Sequence, residues 1–179
     1  AYTPVGGEIA PGTGTTSRVT TTNFLYNTAA YILNRPSRTD TRIGSAAGTK
    51  ISETWFDYDG LANGVAPNKG DLTKQTSWLS GSSSYPIVQT FYDIYGNITG
   101  TIDPMSQTCA NTGRTTATAY DSTYKTFPVT MTNALCQAST STYWGINTTL
   151  TASSVLGAAA VPGLLASVTD PNLVRTVTY

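Results

Sequence analysis

The chain has 179 residues with 10 basic and 10 acidic side chains, no histidine, and only 11% charged residues. That length suits one domain or a piece of a larger one, with about 70% of the unfolded surface expected to be buried around a core. So few and so balanced charges exclude a nucleic-acid surface, which needs clustered Lys and Arg, and a charged tail; the lack of histidine excludes Ser-His-Asp and Cys-His catalysis and most zinc sites.

Eleven tyrosines and 39% hydrophobic residues set the chain apart from disordered sequences. Thr and Ser dominate the polar residues, and Thr fits a pleated, half-buried surface, so the composition favours β structure. No apolar run reaches the ~18 residues of a membrane span. The most apolar stretch, Val155 to Ala166, is interrupted by Gly157, Pro162 and Gly163. No leader pattern opens the chain, so an exported protein would have lost its signal or carry it upstream.

Taken in order, residues 1–16 are rich in Gly, Pro and Thr and read as an extended arm, followed by a β domain over 17–179. Ser17 to Tyr31 is expected to hold one or two strands. Ile32 to Gly48 carries Arg35, Arg38 and Arg42 beside Asp40, a cluster that suits a solvated strand face or, alternatively, a contact with an anion or partner. Thr49 to Tyr58 reads as a strand with Ile51, Glu53 and Trp55 on one side, ended by a turn at Tyr58-Asp59-Gly60. Leu61 to Gly70 is a loop, Asp71 to Leu79 a strand, and Ser80 to Ser84 a connector.

Thr90 to Gln137 organises the chain. A pattern at Thr101 to Gln107 returns thirty residues later at Met131 to Gln137, each copy behind a Tyr-Asp pair, Tyr92-Asp93 and Tyr120-Asp121. Ile98, Gly100 and Ile102 alternate with Thr99 and Thr101. Phe127, Val129 and Met131 alternate with Pro128, Thr130 and Thr132. Period two marks strands with one wet face. Pro128 belongs on an edge or at a bulge. Turns are expected at Tyr95-Gly96-Asn97, Asp103-Pro104 and Asn133-Ala134, where Asx side chains bond their own backbone two residues on. After Tyr143-Trp144-Gly145 strands resume through Leu150, Val155 to Leu165 bends or forms a brief helix, and Asp170-Pro171 repeats the turn before Leu173 to Tyr179 alternates again. The chain reads as cut from a longer array, or as one that completes its sheet with another chain.

Tyr58-Asp59-Gly60, Tyr92-Asp93 through Gly96-Asn97 to Asp103-Pro104, and Tyr120-Asp121 through Phe127-Pro128 to Asn133 resemble Rhs/YD repeats. The similarity is good over 54–137 and thin over 164–179. The resemblance implies an all-β ribbon of antiparallel strands, forming a sheet, a sandwich or a segment of a hollow shell. It also implies a non-enzymatic, extracellular scaffold: a toxin or adhesin shell, or a subunit of a secreted fibre or sheath. The implied partners are flanking repeats or other copies of the chain. The sequence departs from the family at Ser106, Cys136 and Leu173, where the family places Gly for a positive φ.

Candidate chemistry is sparse, and no cofactor is expected. Cys109 and Cys136, each near a strand end, suit a disulfide, which would place the protein outside the cytosol; two buried free thiols are the alternative. Asp57 and Asp59 are the closest carboxylate pair, to be read as a hydrolytic pair or as turn caps. Asp57 to Gly60 also resembles a calcium loop that lacks its remaining ligands. Gly12-Thr13-Gly14 lacks the lysine of a phosphate loop. Asn97 and Asn147 head possible glycosylation sequons. Trp55, Trp78 and Trp144 suit cross-strand packing, an assembly surface, or a carbohydrate-binding groove, the last being the alternative function.

Overall fold

A computed structural model describes residues 17–105, 107–148, 162–172 and 175–177. The proposed arm (1–16), Ser106, Leu150, most of 155–165 and Leu173 lie outside the described residues. The chain divides into two compact units, Ala1–Gln89 and Thr90–Tyr179. Among the described residues it is all-β and antiparallel, as expected, and within each unit strands pair with their sequence neighbours.

The first unit contains β1 (Arg18–Asn27), a single 3₁₀ turn (Thr28–Ala30), β2 (Ile32–Ile43), β3 (Lys50–Tyr58), β4 (Leu72–Ser77) and the start of β5 (Ile87–Tyr92), inside which the division falls. The second contains β6 (Ile98–Ile102), β7 (Thr116–Tyr120), β8 (Pro128–Thr132), β9 (Ala138–Tyr143), β10 (Leu165–Thr169) and β11 (Arg175–Val177). Pro128 stands opposite Tyr120 at a register shift between Ala119 and Tyr120, a bulge that tolerates its missing N–H.

Register sorts the first unit into two unlike faces. Arg38 pairs with Trp55 and Asp40 with Glu53, so Arg38, Asp40, Glu53, Trp55 and Asp57 share one face. The other carries hydroxyls. Thr20 faces Thr41 with oxygens 3.0 Å apart, Thr22 faces Thr39, and Thr39 in turn faces Thr54. On the charged face Glu53 is buried, and Arg38 and Lys50 both donate to its carboxylate. Arg38 also reaches Asp40 at 3.3 Å and Arg42 does so at 2.8 Å, while Lys74 meets buried Asp57 at 3.0 Å. Arg38 and Arg42 of the basic cluster are therefore woven into their own sheet.

The large core expected from chain length is a point of correction. Among the described residues the buried hydrophobic side chains are Tyr58, Cys109 and Ala166, with Pro67 also enclosed, against buried Ser37, Glu53, Asp57, Asp121 and Ser167. Met131, placed with Phe127 and Val129 by alternation, is 58% exposed, and Ile98 is 46% exposed. The alternation is real, but a face made of Thr, Ser and small residues gives its apolar members little to pack against. Gly100, by contrast, is buried because the Thr116 carbonyl and the Arg114 stem occupy the space a Cβ would fill.

Truncating Glu53 leaves Arg38 and Lys50 without their buried counter-charge. Glu53→Ala is expected to destabilise the first unit by about 3–5 kcal/mol, measured as a lower urea midpoint of its unfolding transition.

Candidate functional site

The chemistry-bearing residues of this chain gather at hairpin turns. Their common element is a carboxylate or amide oxygen aimed at backbone N–H groups that a turn leaves without strand partners.

Tyr58 ends β3, and its hydroxyl donates to the Pro36 carbonyl at 2.9 Å. Asp59 follows in the left-handed region at φ 56°, with Gly60 at φ 71°. Its carboxylate accepts from the amides of Asn68, Lys69, Gly70 and Asp71 at 2.6 to 3.0 Å, tying down the far end of the 61–70 loop. Asp57 does not join it: its oxygens take Lys74 and, at 2.9 Å, the Asn63 side-chain amide. The two carboxylates thus serve different partners, and neither a hydrolytic pair nor a calcium loop is assembled from them.

Asp93 accepts from the amides of Tyr95 and Asn97, both at 2.9 Å, and from the Asn97 side chain. Asn97 also donates to the Lys125 carbonyl. Gly96 takes φ 87°. Asn133 builds the same turn, accepting from Leu135 and Gln137 at 3.0 Å, and its own N–H reaches the Gln137 carbonyl as that of Asp93 reaches Asn97. The position of Gly96 is here held by Cys136, at φ 62°. Asp103 accepts from Met105, ahead of Pro104, and Asp170 accepts from Asn172 across Pro171.

Asp121 matches Asp59 in its number of donors, buried and accepting from the amides of Thr123, Tyr124, Thr126 and Phe127. The tyrosine before it repeats the Tyr58 contact, donating to the Ile98 carbonyl at 3.1 Å. Tyr143, at the end of β9, does the same to Pro128 at 3.1 Å. Asn147 stands in for an aspartate there: its oxygen accepts from the Tyr143 amide and its nitrogen donates to the Ser141 carbonyl. Both sequon asparagines are therefore working turn residues.

Cys109 and Cys136 form a disulfide, with Cys109 only 1% exposed. The bridge ties the loop between β6 and β7 to the turn between β8 and β9. It holds Cys136 in a backbone conformation that an L residue adopts at a cost of about 1–2 kcal/mol.

Partial removal from water would raise the Asp121 carboxyl, but its four backbone N–H donors outweigh that and hold it well below the usual carboxylate range. Asp59 is lowered in the same way, burial being overcome by the amides of its loop. Asp93 is lowered too, by the Asn97 side chain and the turn amides acting against desolvation.

The three tryptophans are half-buried. Trp55 stacks on Tyr85 with centroids 5.7 Å apart, and the Lys50 ammonium lies 6.0 Å from the Trp55 ring and 5.4 Å from that of Trp78. Trp144 belongs to the second unit and bonds the Leu164 carbonyl through its backbone at 2.9 Å. Among the described residues no group of three His, Cys, Asp or Glu is placed to hold a metal, and no helix is long and apolar enough to cross a membrane.

Sequence reasoning missed the Glu53 network and the Asn63 and Asn97 supports. The period-two order Arg38, Asp40, Arg42 was the available signal for the first, since it puts three alternating charges on one face. No protein-family model matches the chain, and a search of curated proteins returns no match.

Two outcomes follow from the turns. A carboxyl lowered on folding contributes stability above its unfolded value, near 3.9, and loses it as pH falls through that value toward the folded one. The urea midpoint should be flat from pH 7 to about 5 and drop below about 4, with Asp121→Asn giving a lower midpoint at pH 7 and a shallower acid limb. Removing the bridge by Cys109→Ala with Cys136→Gly should cost about 3–4 kcal/mol. Pairing Cys109→Ala with Cys136→Ala should cost about 1 kcal/mol more, because alanine resists φ 62° where glycine does not.

Proposed function

We propose that the chain is a non-enzymatic extracellular structural protein, a β-scaffold of Rhs/YD type that serves as a shell segment or as the subunit of a secreted fibre or sheath. The observation that carries this reading is the recurrence of one device: a tyrosine at a strand end donating to the preceding strand, then an Asx oxygen closing the turn. It occurs at Tyr58-Asp59 and Tyr120-Asp121, and with Asn147 behind Tyr143.

Other features support it. The aspartates that would be catalytic candidates are engaged with backbone donors or a lysine. The disulfide fits an oxidising compartment. A chain with so little apolar interior gains from neighbours that cover its sheet. The competing carbohydrate-binding module needs an open aromatic face, and those of Trp55 and Trp78 are shared with Tyr85 and Lys50.

The oxidised protein is therefore expected to form particles well above the 18.9 kDa of one chain, seen by light scattering and negative-stain microscopy. A stable monomer at every concentration tested would overturn the reading.

A further inference from the structure

Strand β1 is ten residues long, RVTTTNFLYN, and among the described residues it pairs with β2 alone. An open strand edge is a template for another chain, and proteins that keep such edges single place proline, lysine or other charges on them. β1 has no proline, and its single charge, Arg18, is at its first residue. The protective residue types stand one strand inward, on β2, as Arg35, Pro36, Arg38, Asp40 and Arg42. There they are consumed by the sheet's own ion pairs, at Arg38, Asp40 and Arg42. Past Arg18 the strand itself is uncharged and rich in threonine.

We infer that β1 is a homotypic docking edge, joining two copies of this chain through antiparallel β1–β1 pairing centred on Thr21. The inference deepens the scaffold reading and rests on it. Residues directly opposite each other in an antiparallel pair share a face, and a two-fold axis perpendicular to the sheet keeps like faces together. Centring the axis on a residue is therefore required, and the regular part of β1 is the run Arg18 to Asn23, before the register shift at Phe24.

With Thr21 on the axis, Thr20 lies opposite Thr22 of the second copy and Val19 opposite its Asn23. Within one copy Thr20 already meets Thr41 at 3.0 Å and Thr22 meets Thr39 at 3.5 Å. Pairing extends these two hydroxyl contacts into two symmetry-related rows, each running Thr41, Thr20, then Thr22 and Thr39 of the second copy. At its centre the edge matches itself, threonine against threonine on either side of the axis, and a second copy of this chain supplies that match.

Site-directed cross-linking of the oxidised full chain tests this. Both native cysteines are bridged, so Thr21→Cys introduces the single free thiol. Opposed Cα atoms about 4.5–5.5 Å apart are within reach of a disulfide, and a covalent dimer is expected under mild oxidation. Leu135→Cys, exposed in the second unit, should give none. Thr20→Lys with Thr22→Lys sets lysines against each other across the axis and should weaken association at least tenfold by sedimentation. If wild-type particles form but Thr21→Cys does not cross-link and the lysine variant assembles unchanged, the docking edge is wrong and the scaffold reading stands. If the wild type stays monomeric, both fall. Should the lysine variant fail to fold, the cross-link alone decides.

Discussion

The structure depends on side-chain oxygens satisfying the backbone of its turns. A meander of short strands exposes N–H groups at every reversal, and these need acceptors. Asp59, Asp93, Asp121 and Asn133 supply them, two to four amides each. Because each acceptor sits one residue beyond a strand, it fixes where that strand stops. It thereby fixes the register of the next. Apolar burial, which sets register in most sheets, contributes little here, with Tyr58, Cys109 and Ala166 as the buried hydrophobic core side chains among the described residues.

Two devices reinforce the turns. Strand-end tyrosines reach back to the preceding strand at Pro36, Ile98 and Pro128, so each links two reversals rather than one. The disulfide does the same covalently, spanning from the β6–β7 loop to the β8–β9 turn. It also explains how Cys136 occupies a left-handed position that Gly96 fills in the equivalent turn. A covalent tie offsets the conformational cost that glycine avoids. In the first unit the Arg38–Glu53 ion pair plays a comparable part, binding β2 to β3.

Legibility in the sequence followed the range of the interaction. The turns at Tyr95-Gly96-Asn97, Asp103-Pro104 and Asn133-Ala134 were readable because an Asx turn is completed within five residues. The bulge at Pro128 was readable because proline lacks an N–H. The partners of Asn97 and Asn63 were not, since the Lys125 carbonyl and Asp57 reach them only after the chain has folded back. Nor was the exposure of Met131, for alternation says which residues share a face and not whether anything covers it.

The sequence by itself determined an antiparallel β-chain, the position of its reversals and the absence of histidine-based chemistry, all of which rest on local propensity and composition. Tertiary structure decided the rest. It joined Cys109 to Cys136, brought Arg38 of β2 onto Glu53, set Tyr85 against Trp55 and Lys50 against Trp78, and, among the described residues, left β1 paired with β2 alone. The bridge, the Arg38–Glu53 pair and the ring contacts of Trp55 and Trp78 join residues distant in sequence, and the local patterns that place the turns do not say which side chains meet across strands.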